Sequence, residues 1–164
     1  MQRIGKIYGL LLSDKAPLPR YISFALLIDL LPALFLIAIV FSCIELFDLK
    51  YATPTGYDFS WGTFWKIIVF SPIIETYLLI FTLHILRSFN FQGLKLVVIS
   101  GLFWGALHGL QSWPRFFAPA WSFFIYATAY ETWRLKSFKK AFAAAAVTHA
   151  LHNFLMMLAI GFDT

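Results

Sequence analysis

Charge is the property that this sequence has least of. Only 13% of its 164 residues are Asp, Glu, Lys or Arg, whereas 60% are apolar and 20% are aromatic. A soluble globular domain carries about 25% charged residues, and half that amount cannot coat a surface that faces water. The composition therefore excludes an ordinary soluble fold and a disordered chain.

Cysteine is almost absent as well. Cys43 is the only one, so a disulfide within the chain is excluded. A formal net charge of +5 would suit a nucleic-acid partner. The basic residues cluster beside apolar runs, however, where they are typical of membrane topology signals. We therefore expect a lipid bilayer around this chain and no nucleic acid.

Five long apolar runs make up most of the sequence. Each is near the ~17–25 residues that a membrane-spanning helix needs, which is about twice the length of a spanning strand. The sequence therefore predicts an all-α, polytopic membrane helix bundle that forms a single domain. The predicted spans are Tyr21–Phe47, Phe64–Leu86, Leu94–Gln111, Phe117–Trp133 and Ala141–Phe162.

The basic residues also predict the topology. With five spans, ten Lys and Arg residues fall on the same side as the N-terminus and three on the other, which predicts a cytoplasmic N-terminus. Residues 1–20 combine basic and apolar side chains and contain Pro17 and Pro19, as a cytoplasmic or interfacial segment would. The run that follows is too long for a cleavable signal peptide, so we expect it to remain in the chain.

One carboxyl lies in the middle of the second run. Glu75 follows Pro72, and Ser71 and Thr82 fall on the same side of the helix. An ionisable group in hydrocarbon costs at least ~2.5–3.5 kcal/mol, so Glu75 should face protein or a cavity. It is a candidate general base or acid, and the alternative is a protonated structural carboxyl bonded to a neighbouring helix.

The third run carries one histidine. His108 lies close to the face formed by Gly101, Gly105 and Gly109, whose four-residue spacing predicts that another helix packs closely there. His108 should therefore point toward protein. Its alternative role is a packed residue that only forms a hydrogen bond.

The fifth run carries three polar residues on one helical face, namely His149, His152 and Asn153. Packing alone does not explain such a cluster, which favours a functional role for His149 and Asn153. The sequence assigns no role to His152, nor to Asp29 in the first run. At ~1.5 Å per residue, the polar groups of all three runs lie ~14–20 Å from a cytoplasmic basic residue. They are therefore expected to share one site, whose candidate catalytic residues are Glu75, His108, His149 and Asn153.

Three motifs in this order resemble those of the CPBP family, the CAAX-processing and bacteriocin-processing intramembrane proteases, also called the Abi family. They are a glutamate after a proline (Pro72–Glu75), an aromatic residue four positions before a histidine (Trp104–His108), and a histidine four positions before an asparagine (His149–Asn153). The resemblance covers roughly residues 65–162, which would form a four-helix catalytic core at 64–162.

The resemblance implies an intramembrane endopeptidase of the prokaryotic cytoplasmic membrane. It would act without a cofactor on a membrane-associated protein or peptide, and membership of a membrane-protein complex is compatible with such an activity. Glu75 and His108 would hold a water and Glu75 would take its proton, while His149 and Asn153 would stabilise the oxyanion. A kink at Pro72 and the glycine face of the third run would give space to a substrate helix.

Three alternatives remain open at the level of sequence. Thr76 replaces the family's second glutamate and Ile80 stands where its arginine is expected, which favours a catalytically inactive scaffold that binds other membrane helices. A zinc ion could be held by Glu75, His108 and His149. A haem electron carrier would use a pair of histidines, drawn from His84, His108, His149 and His152.

Overall fold

The computed structural model describes residues 11, 13–51 and 60–161, and within them the chain folds as an all-α bundle without strands. A π-helical turn, Lys66–Phe70, joins the helix Trp61–Trp65 to the helix Ser71–Ser88, and a 3₁₀ turn, Trp113–Phe116, leads into the helix Phe117–Trp133. The predicted all-α helix bundle is thus confirmed. Most of the predicted segment 1–20 and the end of the predicted fifth span at residue 162 lie outside the described residues. The helices are α1 (Leu18–Phe47), α2 (Trp61–Trp65), α3 (Ser71–Ser88), α4 (Gly93–Gly109), α5 (Phe117–Trp133) and α6 (Phe138–Gly161).

Three helical segments are long and apolar enough to cross a membrane, namely Leu18–Phe47, Trp61–Ser88 and Phe138–Ala159. The protein is therefore a multi-pass membrane protein. Each predicted span corresponds to a helical segment, the second to the continuous segment Trp61–Ser88. The boundaries that fall within the described residues agree to within three residues. However, α4 and α5 have 17 residues each. At ~1.5 Å per residue they are ~26 Å long, somewhat shorter than the ~30 Å hydrocarbon core.

Prolines and left-handed residues mark the helix boundaries. Pro17 precedes α1 and Pro19 lies in its first turn, where a missing N–H disturbs no helical hydrogen bond. Asp48 ends α1 in a left-handed conformation, with φ of 48°. Asn90 and Gly93 have positive φ, so the connection from α3 reverses direction within a few residues.

A widened turn precedes the acid-bearing helix. The Ser71 N–H donates to the carbonyl of Lys66, five residues earlier, instead of the usual four. Pro72 follows at once, and its ring cannot fit against a normal preceding turn. The chain therefore accommodates Pro72 through an extra residue in the turn before it, which is one of the recognised causes of a helix kink.

Helix α5 lies at the centre of the bundle, where it packs against α4, α6 and α1. Two glycines of α4 allow the closest approach, because a Cβ built at Gly105 would lie 2.5 Å from the Cβ of Ala120, and one at Gly101 would lie 2.6 Å from the Ala120 carbonyl oxygen. The predicted close packing at this glycine face is confirmed. The expectation that the same face offers space to a substrate helix is wrong, because α5 fills it.

A charged cluster ties the ends of α3 and α5 together. Glu131 forms an ion pair with Arg87 of α3 and a second, at 2.8 Å, with Arg134 one turn further along the chain. Its carboxylate is thus shared by two guanidinium groups from different parts of the chain. This contact fixes the position of α3 relative to the central helix.

Candidate functional site

Side chains from three helices meet at one carboxylate. His108 Nε2 of α4 lies 4.0 Å from Glu75 Oε2, and His149 Nε2 of α6 lies 3.9 Å from the same oxygen. We call these three residues the Glu75 cluster. The structure thus brings together three of the four candidate residues, at one depth in the bundle. Glu75 is 22% and His108 29% exposed in their side chains, so the cluster opens to one side of the bundle.

Ser71 orients the carboxylate. Its hydroxyl, one turn before Glu75 on α3, donates a hydrogen bond to Oε1. The other carboxylate oxygen, Oε2, is the one that faces both imidazoles. The polar face predicted for the second run therefore has a structural effect within α3, because the Ser71 hydroxyl fixes the side-chain conformation of Glu75.

The backbone of α4 fixes the tautomer of His108. Its Nδ1 lies 2.8 Å from the carbonyl oxygen of Trp104. A carbonyl only accepts hydrogen bonds, so Nδ1 must carry the proton. In the neutral ring, Nε2 is then an acceptor, and it is this acceptor that faces Glu75.

Aromatic rings of α5 form a wall behind the histidines. Tyr126 stacks on His149, with ring centroids 4.6 Å apart and planes inclined by 20°. The centroid of Phe123 lies 5.4 Å from those of both His108 and His149, and its ring also stacks on Trp104. Since α5 packs tightly at the centre, these rings hold both imidazoles in place on their buried side.

The fourth candidate, Asn153, contacts a different part of the chain. Its Nδ2 donates to the carbonyl oxygen of Ile67, in the π-helical turn, at 3.0 Å. The amide therefore links α6 to the turn that precedes Glu75. Its predicted role as an oxyanion donor stays a prediction.

A second polar cluster lies deeper in the bundle. The hydroxyl of Tyr126 donates to Asp29 Oδ2 at 3.0 Å, and His152 Nδ1 lies 2.8 Å from the same oxygen, although its N–H is poorly aligned for a hydrogen bond. Asp29 is fully buried and His152 is 9% exposed. We call Asp29, Tyr126 and His152 the Asp29 cluster. It accounts for the two residues to which the sequence assigns no role.

The sequence did not indicate that Tyr126 belongs to a polar cluster, nor that Asp29 lies beside His152. Depth is the signal that points to this pair. Asp29 lies nine residues after Arg20 and His152 twelve after Lys140, which places them ~14 and ~18 Å beyond basic residues on the same predicted side of the membrane. The contact with Tyr126 has no such signal, because a tyrosine in an apolar run is equally typical of simple packing.

No set of three or more His, Cys, Asp or Glu side chains in the described ranges has an arrangement suited to hold a metal ion.

Comparison with known proteins adds no identification. No family model matches the chain, and neither a curated protein nor a solved structure is significantly similar to it. The functional assignment therefore depends on the geometry of the site and on the resemblance of its three motifs.

Proposed function

We propose that this protein is an intramembrane endopeptidase that hydrolyses a peptide bond of a membrane-associated protein or peptide. One observation carries the proposal, which is that two imidazole nitrogens from separate helices lie 3.9–4.0 Å from one carboxylate oxygen. These separations are too long for direct hydrogen bonds but suit groups bridged by water. The resemblance of the motifs around Glu75, His108 and His149 to those of the CPBP family supports the same reaction.

The nucleophile is a water bound between Glu75 and His108. Two hydrogen bonds of ~2.8 Å from one water meet at an angle near ~90° when their acceptors are 4.0 Å apart. Because His108 Nε2 is an acceptor in the neutral ring, the water points one O–H at the imidazole and the other at Oε2. Its lone pairs then face the scissile carbonyl, and Glu75 takes a proton as the new C–O bond forms. Glu75 then gives that proton to the leaving nitrogen as the C–N bond breaks.

His149 stabilises the oxyanion that develops on the carbonyl oxygen. Its Nδ1 is buried and has no hydrogen-bond partner within the described residues. A proton on Nε2 leaves a lone pair rather than an N–H unpaired at that buried position, so Nε2 is the donor. Such a donor, fixed before the reaction by the stacked ring of Tyr126, is most effective where water is excluded.

The topology belongs to the same proposal. We place the N-terminus in the cytoplasm of a prokaryotic cell and let all five long helices cross its inner membrane. The excess of basic residues on one side supports this orientation. A site at this depth is reached from within the bilayer, so a substrate approaches laterally and must unwind near the bond that is cut.

The proposal is tested by comparing the membrane proteomes of cells that carry the wild type, Glu75→Gln or Glu45→Gln, the last altering an exposed carboxyl at the end of α1. We expect a membrane-associated protein to accumulate uncut with Glu75→Gln alone. Identical proteomes in the three strains would exclude the protease. An effect of deleting the protein without any effect of Glu75→Gln would favour the scaffold.

The cofactor alternatives have their own measurement on the purified protein. A metal-free protease contains no stoichiometric zinc and keeps its activity in the presence of a chelator. One zinc per chain, lost together with cleavage in His149→Gln, would replace the water-only mechanism by a metal-assisted one. A Soret absorbance band would identify the haem carrier and exclude the protease.

A further inference from the structure

The π-helical turn leaves one backbone carbonyl to be satisfied from outside its own helix. In a regular α-helix, the Ser71 N–H would donate to Ile67 O, but here it donates to Lys66 O. If the widened pattern continued, residue 72 would donate to Ile67 O instead. That residue is Pro72, which has no N–H. Within the described residues, Ile67 O therefore lacks a backbone donor from either register.

The side chain of Asn153 supplies the missing donor. Its Nδ2 lies 3.0 Å from Ile67 O, and it comes from α6, a separate helix. The contact is partly buried, and inside a bilayer a carbonyl without a partner is costly, so the Asn153 amide compensates for the unusual turn. The widened turn, the proline and the asparagine thus depend on one another.

This contact acts on the site through Ser71. The backbone N–H of Ser71 closes the π-helical turn, and its hydroxyl holds Glu75 Oε1. A change of register in the turn would rotate Ser71 about the helix axis. The carboxylate would then lose the partner that directs Oε2 toward the imidazoles. The position of Glu75 therefore depends on a turn that Asn153 stabilises.

We propose that Asn153 is a positioning residue, which holds the π-helical turn in the register that aims Glu75 at the two histidines. It acts through Ile67 O rather than by donating to the oxyanion. The effect on cleavage rests on the proposed function, whereas the effect on the turn does not. Pro72→Ala separates the two roles, because it restores an N–H. The Ile67 carbonyl then gains a backbone donor whether the turn stays widened or relaxes to an α-helix.

The experiment is a double-mutant cycle with Asn153→Leu and Pro72→Ala, in which both thermal unfolding in detergent and cleavage are measured. Alone, Asn153→Leu should lower Tm by roughly 3–8 °C and reduce cleavage. In the Pro72→Ala background its effect on Tm should be less than half as large, and much of the lost cleavage should return. Leu151→Ala, an exposed position on the same helix, is the control and should show no coupling to Pro72→Ala.

Additive effects on Tm would overturn the proposal. Coupling in Tm, together with cleavage that is intact in Pro72→Ala alone but lost in the double variant, would show that Asn153 donates to the oxyanion and would also overturn the proposal. If Asn153→Leu does not accumulate in cells, its accumulation in the Pro72→Ala background becomes the measurement, and failure of that rescue counts against the proposal. If neither the wild type nor any variant cleaves a substrate, the proposed function fails. The double-mutant cycle in Tm still decides whether Asn153 stabilises the π-helical turn.

Discussion

The two polar clusters of this bundle use the same kinds of side chain but differ in the distance between the carboxyl and its partners. In the Asp29 cluster, both partners lie 2.8–3.0 Å from one oxygen of a fully buried carboxyl. In the Glu75 cluster, the two imidazoles stand 3.9–4.0 Å from a carboxyl that is partly exposed. The Asp29 carboxyl is thus in close contact with Tyr126 and His152, whereas the Glu75 carboxyl stands beyond direct hydrogen-bond reach of both imidazoles and is partly exposed.

This difference separates stability from chemistry in neighbouring parts of the bundle. A buried carboxyl with close partners contributes to one packed arrangement, and removing it leaves those partners unsatisfied. A carboxyl held just beyond hydrogen-bond reach of two imidazoles gains little stability from them. Tyr126 belongs to the closed cluster and stacks on a residue of the open one, so the two clusters are mechanically linked.

The largest expected effect on cleavage comes from replacing the histidines of α6 one at a time. His149→Gln removes a donor that acts on the oxyanion, so cleavage should fall by ~10²–10³-fold, with Tm changed by less than about 3 °C. His152→Gln should do the reverse, lowering Tm while most of the cleavage remains. Rates on a substrate identified by proteomics, together with Tm, measure both. If both variants lost cleavage and Tm to the same extent, the two clusters would not differ in their roles.

Asp29→Ala should give the largest loss of stability. It removes the acceptor of the buried Tyr126 hydroxyl and the carboxylate beside the His152 ring, which costs ~3 kcal/mol, or roughly 6–12 °C in Tm. Asp29→Asn keeps an acceptor and should cost about half as much. Glu45→Ala at an exposed position is the matched control. An unchanged Tm accompanied by complete loss of cleavage would instead place Asp29 in the chemistry.

Gly105→Ala should lower the stability of the bundle by an amount between the effects of Asp29→Ala and Tyr126→Phe. The added Cβ would lie 2.5 Å from that of Ala120, so α4 and α5 must separate at a cost of ~1–3 kcal/mol. Gly62→Ala, whose nearest new neighbour lies 3.7 Å away, is the control. Because His108 is on α4, cleavage should fall more steeply than in Tyr126→Phe. Wild-type rate and Tm in Gly105→Ala would mean that this contact does not position His108.

Tyr126→Phe should have the smallest effect. It removes the hydrogen bond to Asp29 but keeps the ring on His149, so stability should fall by ~1 kcal/mol, or roughly 2–4 °C. Cleavage should stay within about threefold of the wild type, since the phenyl ring still supports the imidazole. Tyr126→Leu, which lacks the stacked ring, is the comparison, and it should lose clearly more activity. If Tyr126→Phe lost as much, the hydroxyl rather than the ring would be the important group.

The sequence was informative about elements and depth, and much less so about partners. Apolar runs delimit the long helices because each run has to bury its backbone, and helical rise then predicts that Glu75, His108 and His149 lie at one depth. It does not predict which way each residue of α6 faces. His149, His152 and Asn153 share a stripe, yet they contact Glu75, Asp29 and Ile67. Those directions depend on how the helices cross, which no local pattern encodes.

The same limit explains why the expectation of space for a substrate at the glycine face is wrong. The four-residue spacing of glycines predicts close approach, but not which helix approaches, and α5 occupies the face. The local physics was correct there, and the missing information was tertiary. The proline predicts a disturbed turn, and the structure adds that the turn before it is widened by one residue.

The position of α6 at the end of the described helices has a consequence for biosynthesis. Glu75 and His108 are synthesised well before His149, and until α6 is made α5 also lacks one of its packing neighbours. A nascent chain that has inserted α1 to α5 therefore carries Glu75 and His108 but lacks the imidazole to which we assign the oxyanion. On the proposed function, hydrolysis would begin only after α6 docks, and a chain that still lacks α6 would leave neighbouring proteins uncut.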